Sequence, residues 1–351
     1  MKIGFLQIVA RHTNLNYWVS YESGWSYLIS TGLVKALKAR YSDIVYIPSD
    51  CITLAEQVEF CDIIIINDVH HAFGNIGDVC DLGLEILIKL FRTKKTYGII
   101  NETLFEDGNQ DALQSINLYR AKLIKQCFPF FHGLITADYL DFQILKRASV
   151  NVLYSPFAVP ILKGSIRRKT GSFRPLFLGS LYDKRRYFYE QNNLLDRVSV
   201  ANIAFDMAAG GKCCDKIRSA VYDRDNVGYF TNLDDYKFKQ FRNYICALGA
   251  ANIVVNLPSI FRGIPCRLVE AAQLNSYILC EFPRSDFEIS MCSGLSNVIF
   301  YRSDLVGDLL EKLDAIAALP EPNPSDISDS WFDIRVRSGN ILNFILNESL
   351  D

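Results

Sequence analysis

Residues 252–281, NIVVNLPSIFRGIPCRLVEAAQLNSYILCE, decide the fold of this chain. Asn252 to Leu257 is a short apolar run suited to a strand, and Pro258 to Gly263 breaks it. Pro265 suits the first turn of a helix, because its fixed φ fits that turn and its missing N–H has no partner there anyway. The helix carries Leu268, Ala271, Ala272 and Leu274 and is expected to end near Asn275. Ser276 to Cys280 is a second apolar strand. Strand, loop, helix and strand in this order make one βαβ unit.

Two charged residues sit inside that unit. Arg267 and Glu270 are three apart and so share a helix face. They lie near the start of the helix, where backbone N–H groups lack partners and the dipole favours anions. A Gly-containing loop, a helix start and an arginine together suit an anionic ligand, and a carboxylate one turn later can accept from sugar hydroxyls. The plainer reading of the same residues is a surface ion pair on an ordinary α/β helix, since such units are common.

The segment RGIPCRLVEAAQLNSYILCE also resembles the donor-site segment of GT-B glycosyltransferases, closest to the spore-maturation-protein type within the glycosyl transferase group 1 family. Gly263, Pro265, Arg267, Glu270 and Ala271 stand at the positions of its G-x-P-x-R-x-x-E-A pattern. Leu178–Arg186 (LGSLYDKRR) is similar to the Gly-Ser-x-Tyr-x-x-Arg opening of the family's C-terminal domain. Asn297–Tyr301 followed by DLVGDLLEKL resembles its next strand and helix. The N-terminal half resembles the family only in layout.

The chain has 351 residues, enough for two domains of ordinary size. Half of the residues are hydrophobic and 22% are charged, which indicates a globular protein. A formal net charge of −2 argues against a general nucleic-acid binder. No run of about 20 apolar residues predicts a transmembrane helix, and MKIGFLQIVARH is interrupted too soon by Arg11 and His12 for a signal peptide. The ten cysteines lack metal-ligand spacing with the four histidines, so reduced thiols in a cytoplasmic protein are expected, with no metal site. Peripheral membrane attachment stays open.

Along the chain, Lys2–Val9 is expected as the first strand. The loop that follows holds Arg11, His12, Asn14, Asn16, Tyr17 and Trp18, a candidate acceptor contact or a plain surface loop. Asp62–Ile66 (DIIII) has the continuous apolar character of a buried parallel strand. Asn67, Asp68, His70 and His71 follow it, where α/β sheets place ligands. The resemblance implies a sugar contact for His70 or His71; the alternative is a helix cap and an exposed imidazole. Glu102 follows the strand Thr96–Ile100 and is a candidate for acceptor binding or base work, or an ordinary first-turn acid.

Residues 156–174 read as a linker, with Pro156, Pro160, Gly164 and Gly171 as breakers and a local excess of Lys and Arg. Beyond it, Leu176–Leu178 is a strand, and Gly179 and Ser180 would let a phosphate approach the backbone. The resemblance assigns phosphate contacts to Arg185 and Arg186. Asn226–Tyr229 looks like a short strand, and Lys237–Leu248 like an amphipathic helix burying Phe238, Phe241, Ile245 and Leu248. Asp304–Leu313 and Trp331–Leu346 are further helices.

Strands alternating with helices in two halves predict an α/β protein of two domains. The resemblance makes these GT-B: two Rossmann-like domains facing across a cleft, an acceptor domain at 1–155, a nucleotide-sugar domain at 175–330, and a terminal helix at 331–351 crossing back. It implies metal-independent transfer of a sugar from a nucleotide-diphosphate donor, a UDP- or GDP-sugar, to a glycan or other acceptor. Glu270 would accept from ribose, Arg267 and Arg185 would neutralise the diphosphate, and Gly179 and Ser180 would cradle it. One departure stands out: many retaining members carry E-x7-E, and Arg262 occupies the place of the first acid. An arginine there suits an acidic sugar. It also fits a degenerate domain that binds a carbohydrate or protein without turnover. A nucleotide-sugar epimerase or a phosphorylase is a third reading.

Overall fold

The computed structural model describes residues 1–8, 27–49, 58–69, 88–105, 128–162, 175–179, 181, 183–201, 226–259, 261–305 and 307–347. Its contacts divide the chain into two compact units. The first comprises Met1–Ser155, Asp206–Lys239 and Arg337–Asp351; the second comprises Pro156–Phe205 and Gln240–Val336.

The first 155 residues contribute β1 (Ile3–Ile8), α1 (Thr31–Lys38), β2 (Ile44–Ser49), β3 (Ile63–Ile66), β4 (Lys95–Ile100), β5 (Gly133–Thr136), α2 (Tyr139–Arg147) and β6 (Val152–Tyr154). The six strands form one parallel sheet in the order β2-β1-β3-β4-β5-β6. Next come β7 (Leu176–Leu178), α3 (Asp183–Gln191), β8 (Ser199–Ala201), α4 (Asn226–Gly249), β9 (Ile253–Asn256), α5 (Cys266–Ala272), β10 (Tyr277–Glu281), α6 (Asp286–Cys292), β11 (Val298–Tyr301), α7 (Asp308–Ala317) and α8 (Ile334–Asn347). The second sheet is also parallel, in the order β11-β10-β9-β7-β8.

The run of four isoleucines explains the first core. Side chains alternate along a strand, so Ile63 and Ile65 join one apolar cluster and Ile64 and Ile66 another. Both faces are therefore covered, as an all-parallel sheet requires. Leu33, Val34 and Leu37 of α1, Leu233 of α4, and Ile341, Leu342 and Ile345 of α8 fill one side. Ile144 and Leu145 of α2 lie on the other. In the second unit, Phe177, Ile253, Val255, Leu279 and Tyr301 build a core against Phe188 of α3 and Leu309, Leu313 and Ile316 of α7.

Several expectations change. Asn226–Tyr229 is not a strand but the first turn of α4, a 24-residue helix that continues through Lys237–Leu248. A four-residue run with one Val and one Tyr carries little local preference, and the buried ladder of Leu233, Tyr236, Phe241, Ile245 and Leu248 imposes the helical period. Phe238 does not join that buried face: it is 37% exposed and leans on the Tyr27 ring, centroids 5.4 Å apart. α5 ends at Ala272, earlier than expected, and Leu274 is buried in the turn after it. α6 was not anticipated; Ser285 caps it, its hydroxyl accepting from the Glu288 N–H at 3.2 Å and donating to the Glu288 carboxylate at 2.9 Å. Of the stretch read as a linker, Phe157, Ala158 and Val159 are buried, and Val159 bridges to Asp333. No helix among the described residues is long and apolar enough to cross a membrane.

Candidate active site

In a doubly wound sheet the ligand crevice lies at the carboxyl ends of the strands where the strand order reverses. In the second sheet, β7 has β8 on one side and β9 on the other, so this point falls between β7 and β9. Gly179 directly follows β7. Asn256 closes β9. Arg267 and Glu270 stand on α5, the next helix. The sequence signature at residues 252–281 and the topological switch therefore coincide.

Arg267 is the centre of the arrangement. Its Nη1 donates to Asn256 Oδ1 at 2.7 Å. The guanidinium lies over the Phe177 ring, 4.6 Å from its centroid. Its Nε is buried and has no acceptor. Gly179 has φ of +153°, and a Cβ built there would sit 2.7 Å from Arg267 Nη2, so only glycine lets the guanidinium lie where it does. Arg185, on α3, brings a second guanidinium to within 5.8 Å of the same ring centroid, and its Nη2 donates to Ser259 Oγ at 3.2 Å.

Asn256 holds this end of β9 together. Its Nδ2 donates to Cys280 Sγ at 3.4 Å, and its carbonyl accepts from the Tyr301 hydroxyl at 2.9 Å. Burial pushes the Cys280 thiol up to about 12, so it remains a protonated structural neighbour.

Glu270 is not half of a surface ion pair. It is 4% exposed, and the groups that act on its charge are Tyr244 of α4 and Arg267. Burial raises its carboxyl to about 7, against the Tyr244 phenol and the charge of Arg267, which pull the other way. The Tyr244 phenol is held well above its ordinary range, first by burial and then by the Glu270 charge. Glu270 can therefore accept hydrogen bonds as a carboxylate or donate one as an acid near neutral pH.

Arg262, Gly263 and Pro265 line a narrow recess beside this cluster, with Asn256, Glu281 and Arg284. Arg262 is 6% exposed. The Ser303 hydroxyl donates to the Glu281 carboxylate. Arg186 points elsewhere: it is exposed, and its Nη2 donates to the Leu181 carbonyl at 3.4 Å. Ser180 lies outside the described residues, as do His70 and His71.

Glu102 is in the first unit, half-buried after β4. There the strand order reverses between β1 and β3, and buried amides mark the carboxyl edge. Asn67 Nδ2 donates to Gln7 Oε1 at 2.7 Å and to the Ile29 carbonyl at 2.8 Å. Asn101 Nδ2 donates to Asn67 Oδ1 at 3.3 Å. Asp141 of α2 fixes the loop that follows, accepting from the N–H groups of Leu104 at 2.5 Å and Phe105 at 3.2 Å.

Sequence reasoning missed Tyr244, Asn256 and Phe177 as parts of the second-unit cluster. Asn256 had a signal, a polar residue closing an apolar strand. Tyr244 had none, since its partner lies 26 positions away on another helix.

No protein-family model and no curated protein matches this chain. Solved structures do. The lipopolysaccharide outer core galactosyltransferase WaaB in its apo form is similar at 13% identity and a TM-score of 0.54, covering 99% of this chain and 100% of that one. Sucrose-phosphate synthase from Thermosynechococcus elongatus is similar at 10% identity and 0.53, covering 100% and 98%. Anabaena HepE in complex with UDP-glucose is similar at 10% identity and 0.55, covering 99% and 100%. Two parallel α/β sheets in this order, matched over the whole chain, give the protein the GT-B fold of these glycosyltransferases.

Proposed function

We propose that the protein is a glycosyltransferase that moves a sugar from a nucleotide-diphosphate donor to a glycan or other hydroxyl-bearing acceptor. One observation carries this reading. At the switch between β7 and β9, Arg267 is anchored by Asn256, lies against Gly179, and holds a buried Nε with no acceptor. A fixed guanidinium with donor capacity to spare, beside a backbone open to close approach, suits a diphosphate. HepE, solved with UDP-glucose, supports a UDP-sugar as the first donor to try.

In this mechanism the second unit holds the donor. Gly179 and Ser180 border the diphosphate, and Arg267 and Arg185 stabilise the negative charge that develops on the leaving nucleoside diphosphate. Because two guanidinium groups supply that charge, transfer is expected to persist in the presence of a chelator. Glu270 accepts from the ribose hydroxyls. Arg262 and the recess around it receive the sugar. The carboxyl edge of β3 and β4 in the first unit is proposed to hold the acceptor, with Glu102, His70 and His71 as candidates for contact and proton transfer.

The test is thermal stability against UDP, GDP, dTDP, ADP and CMP and their sugar derivatives. A ligand that binds only the folded protein raises the melting temperature. A selective rise with one nucleoside diphosphate is expected, followed by release of that nucleotide from its sugar form with acceptor present. No rise with any member at millimolar ligand would refute the donor site.

A further inference from the structure

We propose that the carboxyl ends of β10 and β11 carry a saccharide-binding groove, separate from the contacts at Arg267, in which exposed Phe282 is the platform for one sugar ring and α3 continues the surface for further units of a neutral glycan chain. Its assignment to the acceptor rests on the transferase reading above; the binding itself does not.

Phe282 is the starting observation. It follows β10 directly, and its N–H donates to the Tyr301 carbonyl at 3.0 Å, so the pairing with β11 extends to it and fixes its backbone. Its ring stacks on Phe300 of β11, with centroids 5.2 Å apart and planes at 30°, yet the residue stays 42% exposed. Phenylalanine is ordinarily among the most buried residues, and a ring held open at a strand end inside a hollow marks a binding surface. Because its position is already fixed, a ligand can cover it with little loss of side-chain freedom.

The ring lines a cavity of about 490 Å³, the size of a small-molecule site. Pro283 and Ile289 add to its apolar floor, and Glu281, Arg284, Arg302 and Ser303 stand around it. The polar groups brace one another: the Ser303 hydroxyl donates to the Glu281 carboxylate, and Arg302 donates to Asp304 through Nε at 3.2 Å and Nη2 at 2.8 Å. A sugar ring presents a face of C–H groups and an edge of hydroxyls that both donate and accept. An aromatic floor edged by carboxylate, hydroxyl and guanidinium groups matches that pattern. On the rim, Glu281 and Asp304 balance Arg284 and Arg302, which favours an uncharged chain over a polyanion.

The hollow continues on both sides. Glu281, Phe282, Pro283 and Arg284 also border the recess at Arg262. On the other side, Ser303 borders a second cavity of about 330 Å³ against α3, where Tyr187 is 63% exposed beside Lys184 and Gln191. Exposed aromatic rings thus stand in consecutive hollows, which suits several units of a chain rather than one monosaccharide.

The experiment is calorimetric titration, without nucleotide, of neutral glucan, galactan, mannan and chitin oligosaccharides, from disaccharide to hexasaccharide, into wild type, Phe282→Ala and Tyr187→Ala. Wild type is expected to bind at least one series, more tightly as the chain lengthens. Phe282→Ala is expected to weaken that series at least about tenfold, through loss of the apolar surface that the ring buries against the sugar. Tyr187→Ala is expected to keep disaccharide binding and lose the gain with length, a result that a folding defect would not produce. Wild type binding no member at millimolar concentration would overturn the proposal, as would equal binding by wild type and a Phe282→Ala protein of unchanged circular dichroism. An unchanged length dependence in Tyr187→Ala would overturn the continuation along α3. UDP binding, read separately by thermal melting, decides the donor site: glycan binding lost with the Phe282 ring supports the groove whether or not UDP binds, and UDP binding without glycan binding refutes the groove alone.

Discussion

Glu270→Gln should change how stability depends on pH. The folded protein raises this carboxyl from its ordinary 4.5 to about 7, chiefly through burial. A group that holds its proton more tightly when folded stabilises the fold fully below the unfolded value. That stabilisation is lost as pH rises through the folded value. The gap of about 2.5 pH units, at about 1.4 kcal/mol per unit, corresponds to about 3 kcal/mol in full. Between pH 5 and pH 8 about 2.5 kcal/mol of it should disappear, because the unfolded chain is already largely ionised at pH 5. Glutamine keeps the shape but does not titrate.

The assay is urea unfolding of wild type and variant at both pH values. Other titrating groups cancel in the comparison, and any fixed gain or loss of a hydrogen bond is a constant offset. The stability of the variant relative to wild type should grow by about 2.5 kcal/mol from pH 5 to pH 8. A difference that stays constant, or that falls with pH, would refute the reasoning. The second result would mean that Arg267 governs Glu270 as in an ordinary ion pair.

Gly179→Ala should crowd Arg267, since the new Cβ sits 2.7 Å from Nη2 at a φ of +153°; the expected cost is roughly 1–3 kcal/mol of stability with loss of nucleotide binding, read by thermal melting and calorimetry. Asn297→Ala removes a fully buried amide whose Nδ2 serves the carbonyls of Ala272, Leu274 and Ser276 at 3.2, 3.1 and 2.9 Å. Leaving these without a donor should destabilise the protein by roughly 2–3 kcal/mol in urea unfolding. Arg262, buried beside the recess, should favour a donor whose sugar carries a carboxylate. A wild-type preference for UDP-glucuronate over UDP-glucose that is lost in Arg262→Ala would bear this out, and a wild-type preference for the neutral hexose would refute it.

The two parallel sheets were legible because buried parallel strands advertise themselves: Ile63–Ile66 and Ile253–Asn256 are apolar on both faces and bounded by polar residues. The cluster of Gly179, Arg185, Arg267 and Glu270 was legible because all four lie on short segments next to strand ends. Its inner details were not. Whether Glu270 is an exposed ion-pair partner or a buried acid depends on α4, and nothing local to residues 266–272 reports that helix. Asn226–Tyr229 misled for the same reason in reverse, since a short stretch with β-formers is overruled when the residues beyond it bury a helical face. α6 carried a readable signal, Ser285 three residues before Glu288, which is a capping pair.

The central claim is that a nucleoside diphosphate binds at Arg267. Calorimetric titration of UDP and GDP into wild type and Arg267→Ala at one salt concentration tests it most directly. Removing a guanidinium that makes charge-assisted hydrogen bonds to phosphate should weaken binding at least about tenfold, with circular dichroism unchanged. Equal affinity in the two proteins would contradict the account.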